Sequence, residues 1–151
     1  MSGTVAEAAV WRMFFPAVAA DAVARRLAAS GYEAAVSADF AEDDGSAVYV
    51  QGGEADLLRG GDGSAASVNV RVLYYSTRDT ARLSAVAYMC GLLGALDPAA
   101  VRAAVEEHFA ETLPGWRCTR VAWAKQGEDM AEGARVYYLD LSLVIAYGER
   151  V

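Results

Sequence analysis

Ser67–Leu96, SVNVRVLYYSTRDTARLSAVAYMCGLLGAL, changes its hydrophobic period once, and that change decides the fold. In its first third Val68, Val70, Val72 and Tyr74 share one side of an extended chain, and Asn69, Arg71, Leu73 and Tyr75 the other. Period two with β-branched and aromatic residues is the signature of a strand. After Ser76-Thr77 the spacing lengthens. Asp79 suits the first turn of a helix, where a carboxylate meets the positive end of the dipole. Ala81, Ala85, Tyr88, Met89, Leu92 and Leu96 then recur as an amphipathic stripe. Leu83, Val86, Cys90 and Leu93 widen it, which predicts a helix covered on more than one side. A strand feeding directly into such a helix seeds an α/β layer.

Working outward toward the N-terminus, residues 5–29 are alanine-rich and helical in pattern. Pro16 lacks an amide N–H and restricts Phe15 before it, so two segments are expected, one through Phe14 and one from Ala17 to Ala29. Val18, Ala22, Val23 and Leu27 form the apolar face of the second, with Asp21, Arg25 and Arg26 toward water. Gly31 is placed to close it in the left-handed conformation. Trp11, Phe14 and Phe15 read as core, the alternative being an aromatic patch for a partner. MSGTVAEAAVWRMFF carries Glu7 and no basic cluster ahead of its apolar part, unlike a signal peptide. Tyr32–Phe40 reads as a strand and Ala47–Val50 as its return, across an Asp44-Gly45 turn of hairpin type.

Gln51–Ser67 holds five glycines. A phosphate cradle would need a lysine and a helix directly after the glycines, and a calcium repeat would need more than one Gly60-Gly61-Asp62-Gly63 copy. A flexible loop between strands is the expectation. Beyond the central helix, Asp97-Pro98 opens another, with Val101, Val105, His108, Phe109 and Thr112 on its buried edge and Leu113-Pro114-Gly115 at its end. Trp116–Lys125 alternates, QGEDMAEG connects, and Arg135–Tyr147 gives a long strand. There Tyr137, Leu139, Leu141, Leu143, Ile145 and Tyr147 face one way, and a half-polar set faces the other. Such a strand belongs to a sheet with helices on one side. The fold predicted is one α/β (α+β) domain over residues 1–151. It is a mixed, mostly antiparallel sheet of four or five strands with helices packed on one face.

A net charge of −7 argues against an electrostatic grip on nucleic acid, and no apolar run reaches the ~20 residues that span a bilayer. Cys90 and Cys118 read as small buried hydrophobes. His108, the one histidine, has no further ligand at metal spacing and no nucleophile beside it, so it reads as structural. Glu42-Asp43-Asp44, Glu106-Glu107 and Glu128-Asp129 read as solvated charge, and no spacing selects a glycosidase-like pair. No catalytic motif, cofactor loop or metal set is read from this chain, and an enzyme is not expected.

Asn69-Val-Arg-Val-Leu-Tyr-Tyr75, then Arg78-Asp79-Thr80-Ala81 opening a helix that ends Leu92-Leu93-Gly94-Ala95-Leu96, resembles the tail terminator and minor tail proteins of tailed bacteriophages. The piece from Glu132 to Ile145, EGARVYYLDLSLVI, is similar to their closing strand after a polar turn. The likeness spans residues 17–147. It implies a homo-oligomeric ring, usually a hexamer, that caps the tail tube, stops its polymerisation and docks the tail to the head-tail connector. DNA would pass through without specific binding, and no membrane is involved. The place implied is the head-proximal end of the virion tail, after assembly in the host cytoplasm. Arg71, Arg78, Arg82 and Arg135 are the expected partners of neighbouring subunits' carboxylates. Leu57, Leu58 and Met130 are the apolar tips expected to meet other subunits or the tube. The alternative is a small-molecule-binding or enzymatic α/β domain with a pocket between the central helix and the sheet.

Overall fold

The computed structural model describes residues 5–32, 34–36, 48–57, 65–77, 82–112, 115–131 and 134–147. In chain order they form α1 (Val5–Ala29), β1 (Ala34–Val36), β2 (Val48–Leu57), β3 (Ala65–Thr77), α2 (Arg82–Ala95), α3 (Pro98–Thr112), β4 (Trp116–Ala131) and β5 (Ala134–Tyr147). The strands make one sheet in the order β1-β2-β3-β5-β4, antiparallel throughout except between β1 and β2. The three helices pack on one face of it, and the mixed α/β class read from the sequence holds.

That face is the core. Val68, Val70, Val72 and Tyr74 of β3 and Leu139, Leu141, Leu143 and Ile145 of β5 are buried together, with Val48 and Val50 of β2 beside them. α1 covers β1, β2 and β3, while α3 covers β4 and packs on α1. Burying each such leucine or isoleucine stabilises the fold by about 1.5–3 kcal/mol, which makes this layer the dominant favourable contribution. Phe15 is core, with its ring edge-on to Trp116 at 4.7 Å. The side chains of Trp11 and Phe14 lie outside the described residues.

α1 is one helix, not two, with Pro16 inside it. The missing N–H forgoes a single backbone bond. Phe15, Ala19, Ala20 and Val23, buried on both sides of the proline, hold the helix to the sheet against that loss. Its end matches expectation. Gly31 has φ +90°, Gly31 N–H donates to Ala28 O and Tyr32 N–H to Leu27 O, the paired bonds of a Schellman cap. At the start of α3, Asp97 Oδ2 accepts from Ala100 N–H, and Val101, Val105, His108 and Phe109 are buried as read; Thr112 is exposed.

Four other expectations are corrected. β1 runs parallel to β2, pairing Ala34 with Val48 and Val36 with Val50, so an antiparallel hairpin does not join them. The Asp44-Gly45 signal is purely local and lies outside the described residues, whereas the capped end of α1 delivers the chain beside β2 in the same direction. The glycine-rich stretch is not loop throughout, because β2 continues to Leu57 and β3 begins at Ala65. Its glycines have a packing reason. The ladder shifts between Gly52 and Ala55, and a side chain on Gly52 would strike the Pro16 carbonyl at 2.6 Å. Gly60–Gly63 lies outside the described residues.

The third correction concerns β4, which continues through QGEDMA to Ala131 and pairs with β5 over its length. The register shift at Cys118/Arg120 moves Val121 and Trp123 onto the face of Trp116 and Cys118, and a second at Trp123/Lys125 turns Lys125 to the opposite face. Strict alternation had put Val121 and Trp123 opposite Trp116 and Cys118. Lastly, α2 is covered on one side only: Leu92 and Leu96 are buried, but Val86 and Cys90 are exposed. Cys118 alone is the buried thiol, and burial pushes its pKa up to about 12. No described helix is long and apolar enough to cross a membrane.

Candidate functional site

Opposite the helices the sheet shows a graded face. At one end Tyr49, Leu73, Tyr75, Val136 and Tyr138 form a second, smaller buried cluster. In the middle the register lines up Gln51, Arg71, Asp140 and Lys125 as one row across β2, β3, β5 and β4. Beyond it lie Asn69, Ser142 and Ala122. The middle row borders a shallow trough of about 440 Å³ lined by Gln51, Gly52, Gly53, Asn69, Arg71, Ala124 and Asp140.

Arg71 dominates this trough. Its Nε donates to Asp140 Oδ1 at 2.6 Å and its Nη2 to Oδ2 at 2.9 Å, a two-pronged pair that also seats the guanidinium 4.4 Å above the Tyr138 ring. The hydrogen bond to Asp140 raises the Arg71 pKa further, so the charge is permanent. Tyr138 in turn lies across Gly127, where any Cβ would meet its hydroxyl at 2.6 Å. Within the trough the charges of Arg71 and Asp140 balance each other, and the exposed Lys125 stands at its border.

The helix side carries a second concavity, about 560 Å³, between α1 and α3. Its floor is alanine (Ala22, Ala29, Ala100, Ala103, Ala104) and its rim holds Arg25, Glu107 and Glu111. His108 is buried at its side with Nε2 2.9 Å from Asp21 Oδ2, the same oxygen that accepts from Arg25 Nε at 3.1 Å. The sequence reading gave His108 no acidic neighbour; the one it has comes from α1, where sequence spacing could not reveal it. Arg26 does not simply face water, since its Nε donates to Ala95 O at 3.0 Å. Trp123 Nε1 donates to Leu96 O at 2.8 Å. These two side chains, from α1 and β4, satisfy the carbonyls that end α2.

Nearby, Glu106 accepts from Arg117 and, at 2.7 Å, from the Cys118 backbone N–H. Tyr32, Tyr88, Tyr74 and Tyr137 form a run of ring contacts, with Tyr88 stacked on Tyr74 at 4.3 Å. Tyr137 Oη is buried without a hydrogen-bond partner. Among the described residues no group of three or more His, Cys, Asp or Glu could hold a metal ion.

The residues expected at interfaces do not gather in one patch. Arg71 holds Asp140 of its own chain, and Arg135 lies 3.4 Å from Glu128 across the β4–β5 hairpin. Met130 is the register partner of Arg135, at one end of the sheet, whereas Leu57 is at the other, opposite Ala66. Arg82 is the first residue of α2. The side chains of Arg82, Leu57 and Met130 lie outside the described residues, as do Arg78 and Leu58 altogether. Sequence reasoning missed Asp140, Lys125 and Gln51 as companions of Arg71, because the row exists only once β5 is inserted between β3 and β4. No protein-family model matches this chain, and no curated protein matches it.

Proposed function

We propose that the protein is a structural subunit of a phage tail, a tail-terminator-like ring component that caps the tail tube and meets the head-tail connector. The observation that carries this reading is the outer edge of β4. The strand runs 16 residues, and among the described residues no strand pairs with its outer side. A long edge of this kind is a template for another chain unless it is covered. Its start is closed by Glu106, which accepts from the Cys118 N–H. A sheet with helices on one face and a graded opposite face suits a wall element of a ring. A charge of −7 in every copy would line such a ring with a field that repels DNA and lets it slide.

The binding or enzymatic alternative draws less support. The trough is open and its arginine and aspartate neutralise each other, whereas ligand sites converge several unsatisfied polar groups in an apolar cavity. Native mass spectrometry and negative-stain electron microscopy of the purified protein test the proposal. A closed ring, six subunits being the count implied by the resemblance, is expected. A monomer at all concentrations up to those of crystallisation overturns it.

A further inference from the structure

Two of the large hydrophobic side chains left exposed among the described residues sit on the two opposite edges of the sheet. Val36 of β1 is 48% exposed and Trp123 of β4 is 44% exposed; Val86 on α2 is the third. Both edge residues point to the helix face, since Val36 pairs with the core residue Val50 and Trp123 with the core residue Leu141. Their edges also have compatible directions. β1 is parallel to β2, and three antiparallel steps then lead to β4, so β1 and β4 run in opposite senses. A second copy placed beside the first, with its sheet continuing the same way, therefore sets its β1 antiparallel to the first copy's β4.

We infer that copies of this chain join edge to edge, β1 of one against β4 of the next, with Val36 of one copy resting on Trp123 of its neighbour. The occupant of the β4 edge is thus a second copy. The two edges match in three ways: in strand direction, in the face on which each leaves a hydrophobe, and in position at opposite ends of one sheet. Trp123 is a ready-made anchor because its indole N–H is held by Leu96 O, which fixes the ring in the orientation that contacts a neighbour. Glu106 sets one limit of the contact by taking the Cys118 N–H, so pairing starts beyond residue 118. The contact is heterologous and repeats from copy to copy, as a ring requires, whereas β4 against β4 would stop at two. It rests on the ring reading for its closure only; the pairing follows from the edges themselves.

The test places cysteines at Val36 and at Trp123, whose positions share the helix face, with Cys90 replaced by serine. Under mild oxidation V36C/W123C is expected to give a ladder of dimers, trimers and higher species on a non-reducing gel, and each single variant none. A dimer from W123C alone would mean symmetric β4 pairing and overturns the inference. The companion variant Val36→Glu is expected to keep the melting temperature of the parent. It should also raise the concentration for half-dissociation at least about tenfold, the loss of one good contact. An oligomer of unchanged stability in Val36→Glu, with no ladder from V36C/W123C, sinks this edge contact and leaves the ring reading standing. A parent protein that stays monomeric, whatever the variants do, sinks both.

Discussion

Leu141 and Asp140 are neighbours on β5 and inhabit different molecules, chemically speaking. Leu141 is fully buried beneath the helices among Leu139, Leu143 and the valines of β3. Asp140, one residue earlier, faces the open side and is held by Arg71. On the helix face cohesion comes from area, and many residues could supply it. On the open face it comes from a few directed contacts, each with a named partner. The difference teaches where this protein tolerates change: the helix face fails by degrees as volume is lost, and the open face loses shape at a point while the fold survives.

The largest expected effect breaks the helix face. Leu141→Ala should cost about 2–5 kcal/mol in urea denaturation, because the helices above can only partly collapse into the space. Gly52→Ala comes next. The new methyl meets the Pro16 carbonyl, and separating α1 from β2 to admit it should cost about 1–3 kcal/mol. If Gly52→Ala were neutral, the close approach of α1 to the β2 bulge would be wrong.

Smaller effects sharpen the contrast on the other side. Asp140→Ala should cost roughly 1–2 kcal/mol, between an exposed ion pair and a buried charged hydrogen bond, with unchanged circular dichroism. Tyr137→Phe removes a buried hydroxyl that has no partner and should be neutral or stabilising by up to about 1 kcal/mol. At neutral pH the last prediction has no effect at all. Burial raises the pKa of Cys118 from 9.0 to about 12 and that of Tyr74 above 10.0, so both stay protonated in the folded chain after the unfolded chain has ionised. Their contribution is fully present below pH 9 and is lost as pH rises through about 12. Thermal melts between pH 8 and 11 should show this decline, and Cys118→Ala should flatten it.

Legibility divides along the same line. Where a feature is made by residues close in sequence, the chain announces it. The alternation of β3, the Gly31 cap and the Asp97-Pro98 start of α3 each depend on neighbours within a turn or two. Where a feature needs a distant partner, the same reading fails. Pro16 looks like a break until the buried Phe15 and Ala19 are known to lie on a sheet. Gly52-Gly53 looks like loop until Pro16 is found above it. Asp140 looks like an ordinary polar residue until it is found opposite Arg71, 69 positions away. The expected interface residues were chosen for their charge or greasiness, which says nothing of partners within the chain. Arg71 and Arg135 turn out to hold carboxylates of their own subunit. Trp123 and Val36 escaped notice because only the strand order reveals them as edges.

The strand order β1-β2-β3-β5-β4 also has a consequence for biosynthesis. The strand that sits second from one side, flanked by β3 and β4, is the last of the five to leave the ribosome. Until it arrives, the nascent polypeptide carries two unfinished pieces with their inner borders open, and neither can close on the other. Completion is therefore a single late event, in which β5 slides between partners that have been waiting for it.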